Sequence, residues 1–239
     1  MNRNDERQGS VAVLADLHGN LVALEAVLDE VARLGVRRIV IPGDVAWGPQ
    51  PAETVEMVMT LDPIATVIRG NADREVADPA TVDGDAFLRE STEWCAAQLS
   101  TVQREWLKGL PETASLEVDG IGAVLVCHGS PGSDIEGIRP DTAVEQIAEW
   151  LATTIEPVIV CGHTHVQFDR VVGRHRIVNP GSVGLHYGVD GAQWALLGSE
   201  GVELRTTPYD KDHAARLARS SGIPDAEGFV RFLLDPSVG

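Results

Sequence analysis

Cysteine is scarce in this 239-residue chain, and the three present, Cys95, Cys127 and Cys161, are scattered and odd in number. That excludes a disulfide framework and makes small buried hydrophobes in a reducing compartment the expected role, with the cytoplasm as the expected location. Positive charge is also short: 19 Lys and Arg stand against 36 Asp and Glu, a formal net charge of −17. Such a surface repels a polyanion, so long nucleic acid is not an expected partner. No apolar run is long enough to span a membrane, and the first, residues 10–15, is short and runs into Asp16, unlike a signal peptide. Internal repeats, low-complexity tracts and separating linkers are absent as well. With 44% hydrophobic residues, the chain can bury one sizeable core. The expected organisation is a frayed polar tail over residues 1–9, one domain over 10–208 and a helical extension over 209–239 packed on it.

What is present is a regular alternation. Residues 10–15, 37–41 and 64–68 read as strands, with helices over 21–34 and 52–61 between them. Leu21, Leu24, Val27, Leu28, Val31 and Leu34 share one face of the first helix, which Asn20 caps and Gly35 stops. Val55, Val58 and Met59 point inward from the second. This order is the signature of a parallel sheet with crossover helices, so the fold class is α/β. Residues 85–110 read as mostly helical, with Phe87, Leu88, Trp94, Leu99, Trp106 and Leu107 as packing residues. Strands follow over 113–118 and 123–127, then a helix over 141–151 and a strand over 157–161. Two hairpins (166–172 with 175–178, and 192–197 with 202–206) and two short terminal helices complete the pattern.

Residues able to bind metals end strand after strand: Asp16 and His18, Asp44, Asn71, His128, and His163 with His165. Loops leaving the carboxyl ends of parallel strands converge in space, so these side chains meet whatever their separation in sequence. Each alone is ordinary. A Gly-Asp is most often a turn, and a lone His is most often a packed or surface residue. The conjunction is not ordinary, and the alternating imidazoles of His163-Thr164-His165 can serve two neighbouring cations. Mixed carboxylate, imidazole and amide donors suit Mn²⁺, Fe, Zn²⁺ or Ni²⁺ better than Ca²⁺. Two such ions can hold a hydroxide as nucleophile, neutralise a developing phosphoryl charge, and draw a small phosphate ester into an acidic protein.

Asp16-Leu17-His18-Gly19-Asn20, Gly43-Asp44, Gly70-Asn71-Ala72-Asp73, Cys127-His128-Gly129 and Gly162-His163-Thr164-His165 resemble, in order, the five signature blocks of the calcineurin-like metallophosphoesterases. Asn179-Pro180-Gly181-Ser182-Val183-Gly184 further resembles the small bacterial and archaeal phosphodiesterase branch, and the likeness spans residues 10–208. The resemblance implies a four-layer α/β/β/α sandwich. It implies one metal on Asp16, His18, Asp44 and His165, and a second on Asp44, Asn71, His128 and His163. The implied activity is hydrolysis of a small soluble phosphate ester, most in keeping with a phosphodiesterase using a metal-bridging hydroxide. A phosphomonoesterase or protein phosphatase is the alternative within enzymes. A non-catalytic scaffold, as in the retromer subunit of this fold, is the alternative outside them, and the full ligand set argues against it.

One departure matters. Many members carry a histidine, thought to assist the leaving group, where this chain has Ala72, whose side chain can neither donate a proton nor hydrogen-bond. That shifts the expected substrate towards better leaving groups. Asn20, Arg74 and His186 are the candidate substrate contacts that could compensate, and the amides at the start of the first helix and Gly129-Ser130-Pro131 are further candidates for a phosphate oxygen. Asp44 and Asn71 are expected to carry the chemistry, with Asp73 accepting a hydrogen bond from a histidine. Substrate walls, or the contact of a homo-oligomer, are expected in residues 85–110 and in the hairpin bearing Arg170, Arg174 and Arg176.

Overall fold

A computed structural model describes residues 9–235; the expected tail over 1–9 lies outside the described residues except for Gly9. The first sheet contains β1 (Val11–Val13), β2 (Arg38–Ile41) and β3 (Ala65–Val67), parallel to one another, with α1 (Leu21–Arg33) and α2 (Pro51–Thr60) as crossovers. The hairpin β9 (Ala192–Gly198) and β10 (Gly201–Thr207) joins it antiparallel to β1, giving the order β10-β9-β1-β2-β3. The second sheet runs β4-β5-β6-β8-β7, from β4 (Thr113–Val118), β5 (Gly122–Cys127), β6 (Val158–Val160), β7 (Phe168–Val172) and β8 (His175–Asn179). Within it β5, β6 and β8 are parallel.

The two-residue period of the strands sorts their side chains between layers. Val11, Val13 and Val40 meet Val124, Val126, Val158, Val160 and Val178 between the sheets. Ala12, Leu14, Ile39 and Ile41 turn the other way, onto the helices that cover the first sheet. Cys127, Ile159 and Ile177 turn outward onto Ile147 and Leu151, so α6 (Val144–Trp150) covers the second sheet. The result is the expected four-layer α/β/β/α sandwich, and each Val, Ile or Leu so buried stabilises it by about 1.5–3 kcal/mol. Outside it, α7 (Lys211–Ser221) and α8 (Ala226–Leu234) pack on each other and on Val22, Trp47, Leu185 and Tyr209.

Several elements differ from expectation. Residues 71–77, to which the sequence pattern assigns no element, form a helix, α3 (Asn71–Ala77), because Asp73 at its third position accepts the N–H of Gly70 and stabilises its start. The 85–110 stretch is two helices, α4 (Ala86–Gln98) and α5 (Thr101–Gly109). Their boundary is a capping box: Ser100 Oγ accepts from Gln103 N at 3.3 Å while Gln103 Oε1 accepts from Ser100 N at 2.9 Å. Phe87 is exposed rather than packed, and on α2 Thr54 is buried while Met59 is only partly so. The hairpin arginines brace the second sheet: Arg170 donates to the carbonyls of Pro140 and Thr142, Arg174 to that of Thr154, and Arg176 pairs with Asp169.

Candidate metal centre

The ligand loops leave the carboxyl ends of β1, β2 and β3 in one sheet and of β5 and β6 in the other, and meet over the seam between the sheets. Backbone hydrogen bonds lock them together: Asp16 N–H to Gly43 O (3.1 Å), His18 N–H to Asp44 O (3.0 Å) and Gly162 N–H to His128 O (2.7 Å). The segment after β8 straps the first loop from above, Ser182 Oγ donating to Asp16 O at 2.7 Å and Gly184 N to the same carbonyl at 3.0 Å. Asn179 Nδ2 donates to Gly162 O at 2.7 Å, so one short segment holds both halves of the site.

Backbone strain concentrates here. Asp16, His18, Asp44, His163 and His165 all have φ between 45° and 65°, and the sixth positive-φ non-glycine among the described residues is the helix cap Asp225. Such conformations cost of order 1–3 kcal/mol each and persist where the surroundings over-determine them. Two glycines make room for the carboxylates: a Cβ at Gly162 would lie 2.8 Å from Asp16 Oδ2, and one at Gly70 would overlap Asp44 Oδ1.

Two groups of ligand atoms result, Asp16 with His18 and His165, and Asp44 with His128 and His163, each group within 4.8 Å. Asp44 lies between them, its Oδ2 3.3 Å from His128 Nε2 and 3.7 Å from His18 Nε2. Asn71 Oδ1 completes the second group at 3.1 Å from His128 Nε2 and 3.0 Å from His163 Nδ1. Hydrogen bonds to carbonyls assign the tautomers. His128 Nδ1–H donates to Pro42 O (2.7 Å) and His18 Nδ1–H to Trp47 O (3.2 Å), leaving both Nε2 atoms directed into the site. There they face other metal-binding atoms: Asp44 Oδ2 and Asn71 Oδ1 beside His128, and His165 Nε2 at 2.9 Å from His18 Nε2. Nitrogen and oxygen ligand atoms clustered in this way fit divalent ions that accept both.

The electrostatics differ between the histidines. Burial pulls His128 down, but the charge of Asp44, its hydrogen bond and Asp16 together push it up to about 10, so its Nε2 carries a proton beside Asp44 that a cation would displace. Burial pushes Asp44 up, yet His128 and His18 outweigh it and hold the carboxylate well below its ordinary range. Burial drives Asp16 well up despite His128, and drives His18, His163 and His165 down, leaving neutral imidazoles suited to metal binding.

The other candidates separate. Asp73 accepts no histidine; its carboxylate, fully buried, takes the N–H groups of Asp44 (2.8 Å), Val45 (2.8 Å), Ala46 (3.1 Å) and Gly70 (3.0 Å). Its place in the first turn of α3 aims it at that loop instead of at an imidazole. Burial and neighbouring Asp44 raise it to about 6. Asn20 is committed to structure, Oδ1 accepting from Ala23 N at 3.2 Å and Nδ2 donating to Gly184 O at 3.1 Å and to Tyr209 Oη at 3.4 Å. His186 is buried with Nε2 3.2 Å from the same Tyr209 hydroxyl, which ties it to the C-terminal extension and leaves it outside both ligand groups. Arg74 is held by Asp134 at 2.7 Å and lines a cavity with His128. Ala72 is buried, and its N–H donates to Asp44 Oδ1 at 2.9 Å. The carbonyls of Pro42 and Trp47 escaped the sequence reading because any residue type supplies one. Tyr187, whose ring lies 5.6 Å from that of His165 and contacts Phe232 of α8, carried no motif to mark it.

Residues 10–200 match the calcineurin-like phosphoesterase superfamily domain, and the chain belongs to that family. It is 27% identical to a metallophosphoesterase from Sphaerobacter thermophilus, with a TM-score of 0.74 over 94% of this chain and 98% of that one. The hypothetical protein PH1004 from Pyrococcus horikoshii OT3, 24% identical, shares the fold with a TM-score of 0.82 over 94% of this chain and 97% of its own. The uncharacterized protein MJ0912 of Methanocaldococcus jannaschii is 25% identical over 93% of this chain and 97% of its own length. The protein thus has the metallophosphoesterase fold and two candidate metal-ligand clusters, and membership of the family supports a hydrolase.

Proposed function

We propose that the protein is a dinuclear metal-dependent phosphodiesterase acting on a small soluble phosphate ester. The observation that carries this reading is the position of Asp44, whose Oδ2 faces a histidine of each ligand group, as a carboxylate shared between two cations must. Asp16, His18 and His165 would hold one ion and Asn71, His128 and His163 the other. Bound there, two divalent ions supply a hydrolytic nucleophile and neutralise charge at phosphorus. Mn²⁺ is the ion we propose for assay.

The chain's own residues fix the ligand atoms in place. The Pro42 and Trp47 carbonyls hold the rings of His128 and His18 in one tautomer, and the four amides on Asp73 keep the Asp44 loop closed. Ala72 donates only its backbone N–H, to Asp44, so the departing alcohol receives no proton from that position. An ester with a good leaving group tolerates this better than one whose departing alcohol is strongly basic.

The test is hydrolysis of bis(4-nitrophenyl) phosphate and 4-nitrophenyl phosphate by the Mn²⁺-loaded protein and its Asp44→Ala variant. Faster turnover of the diester and its loss in the variant are expected. Equal activity in the variant would refute the reading, and faster monoester turnover would move it to a phosphomonoesterase.

A further inference from the structure

Beside the centre, the loops after β3 and β5 enclose a cavity of ≈ 320 Å³ whose lining includes His128, Ser130, Arg69, Arg74, Glu112 and Asp134. That volume is at the lower end for a small-molecule site. Three features define what it accepts.

The first is an unpartnered hydroxyl. Ser130 is 3% exposed, and its Oγ has no hydrogen-bond partner among the described residues, although its backbone is paired with Ser133 on both sides. Buried hydroxyls are rarely left so, and those that are call for a ligand or an ordered water. The second feature is charge balance. Arg69 pairs with Glu112 at 2.7 Å and Arg74 with Asp134 at 2.7 Å, so a second phosphate or a carboxylate entering here meets as much negative charge as positive. The Arg69 pair is the looser, because Glu112 is 80% exposed and a solvated pair of this kind is weak. The third is the shortage of aromatic surface: among the described residues no Phe, Tyr or Trp lines the cavity. A nucleobase would find only the ring of a candidate ligand histidine, His128, and guanidinium planes already paired with carboxylates.

What the lining does offer is alternation: guanidinium donors, carboxylate acceptors and a hydroxyl that is both. Vicinal hydroxyl groups, each a donor and an acceptor, match it. We propose that this cavity is a specificity subsite for the alcohol portion of the substrate, and that the substrate is a phosphodiester of an uncharged polyol, a soluble glycerol or sugar unit, rather than of a nucleoside. This rests on the phosphodiesterase reading above.

Three diesters with the same leaving group test it on the Mn²⁺-loaded full chain: 4-nitrophenyl glycerol phosphate, 4-nitrophenyl thymidine 5′-phosphate and bis(4-nitrophenyl) phosphate. The glycerol ester is expected to exceed the thymidine ester in kcat/KM by about tenfold or more, the scale of one or two net hydrogen bonds. Ser130→Ala and, independently, the more exposed Arg69→Gln should each cut that ratio several-fold, chiefly through KM. Calorimetric binding of glycerol 3-phosphate and thymidine 5′-phosphate gives a second readout, with the polyol phosphate tighter. Equal or reversed preference, or variants that slow both esters alike, would overturn the subsite. No hydrolysis of any diester would refute the phosphodiesterase reading, while the binding comparison would still decide for or against the subsite.

Discussion

The carboxylate of Asp73 and the backbone N–H of Asp44 meet at 2.8 Å, and the same carboxylate takes three further amides, from Val45, Ala46 and Gly70. One buried anion therefore holds the loop carrying Asp44 against the loop carrying Asn71. Asp73→Asn keeps the size but turns an NH₂ towards amides that need an acceptor. Such a substitution leaves buried donors unpaired and should cost about 2–4 kcal/mol in urea unfolding, with Mn²⁺ affinity falling about 10- to 100-fold. Unchanged stability and affinity would mean that Asp73 is not the clamp.

Ala72 sets the second expectation. With no proton donor in that side chain, diester turnover should fall steeply as the leaving-group pKa rises across a series of substituted phenyl esters. A flat dependence would show that another residue protonates the departing alcohol.

Glu30 supplies a pH dependence away from the site. Burial raises its pKa, but hydrogen bonds from Thr207 (2.6 Å) and Arg205 (2.6 Å) prevail and place it below its ordinary 4.5. The folded state thus favours the carboxylate: the contribution is present above about pH 4.5 and is lost as pH falls through the folded value. The side chains of this pair are only 15–20% exposed, and Glu30→Gln should cost about 1–2 kcal/mol at pH 7, a difference that shrinks as the pH falls below 4.5 through the folded value. A difference in urea unfolding that persisted at the lower pH would contradict the ion pair.

The three cysteines are buried, and burial lifts Cys95 and Cys127 to about 12 and Cys161 well above its ordinary range. A thiol-specific reagent at about pH 8 should find no reactive cysteine in the folded protein and 3 after unfolding. Reaction of any in the native state would contradict their packing.

Much of this was legible in the sequence, for physical reasons. The valines of β1, β5, β6 and β8 read as strands because continuous apolar runs suit parallel strands buried on both faces. The ligands read as a site because each follows such a run, a pattern that strand convergence turns into proximity. Asn20 illustrates the limit. The sequence supports both a helix cap and a residue facing substrate, and the contacts with Gly184 and Tyr209, 164 and 189 residues away, fix its amide. Asp73 was misdirected for a similar reason, since donors that are backbone amides leave no trace in residue identity. The break at Ser100 was open to reading, as a Ser followed three residues later by Gln is a capping box. Ser130 and Tyr187 gain their meaning only from the cavity and the ring that lie beside them.

The most direct measurement is the number of Mn²⁺ ions bound per chain at saturation, by equilibrium dialysis with elemental analysis. The two ligand groups should bind 2 ions, with His165→Ala and His163→Ala each reducing the count to 1 by emptying different groups. A wild-type count of 0 or 1, or a count of 2 in either variant, would contradict a centre built from these two groups.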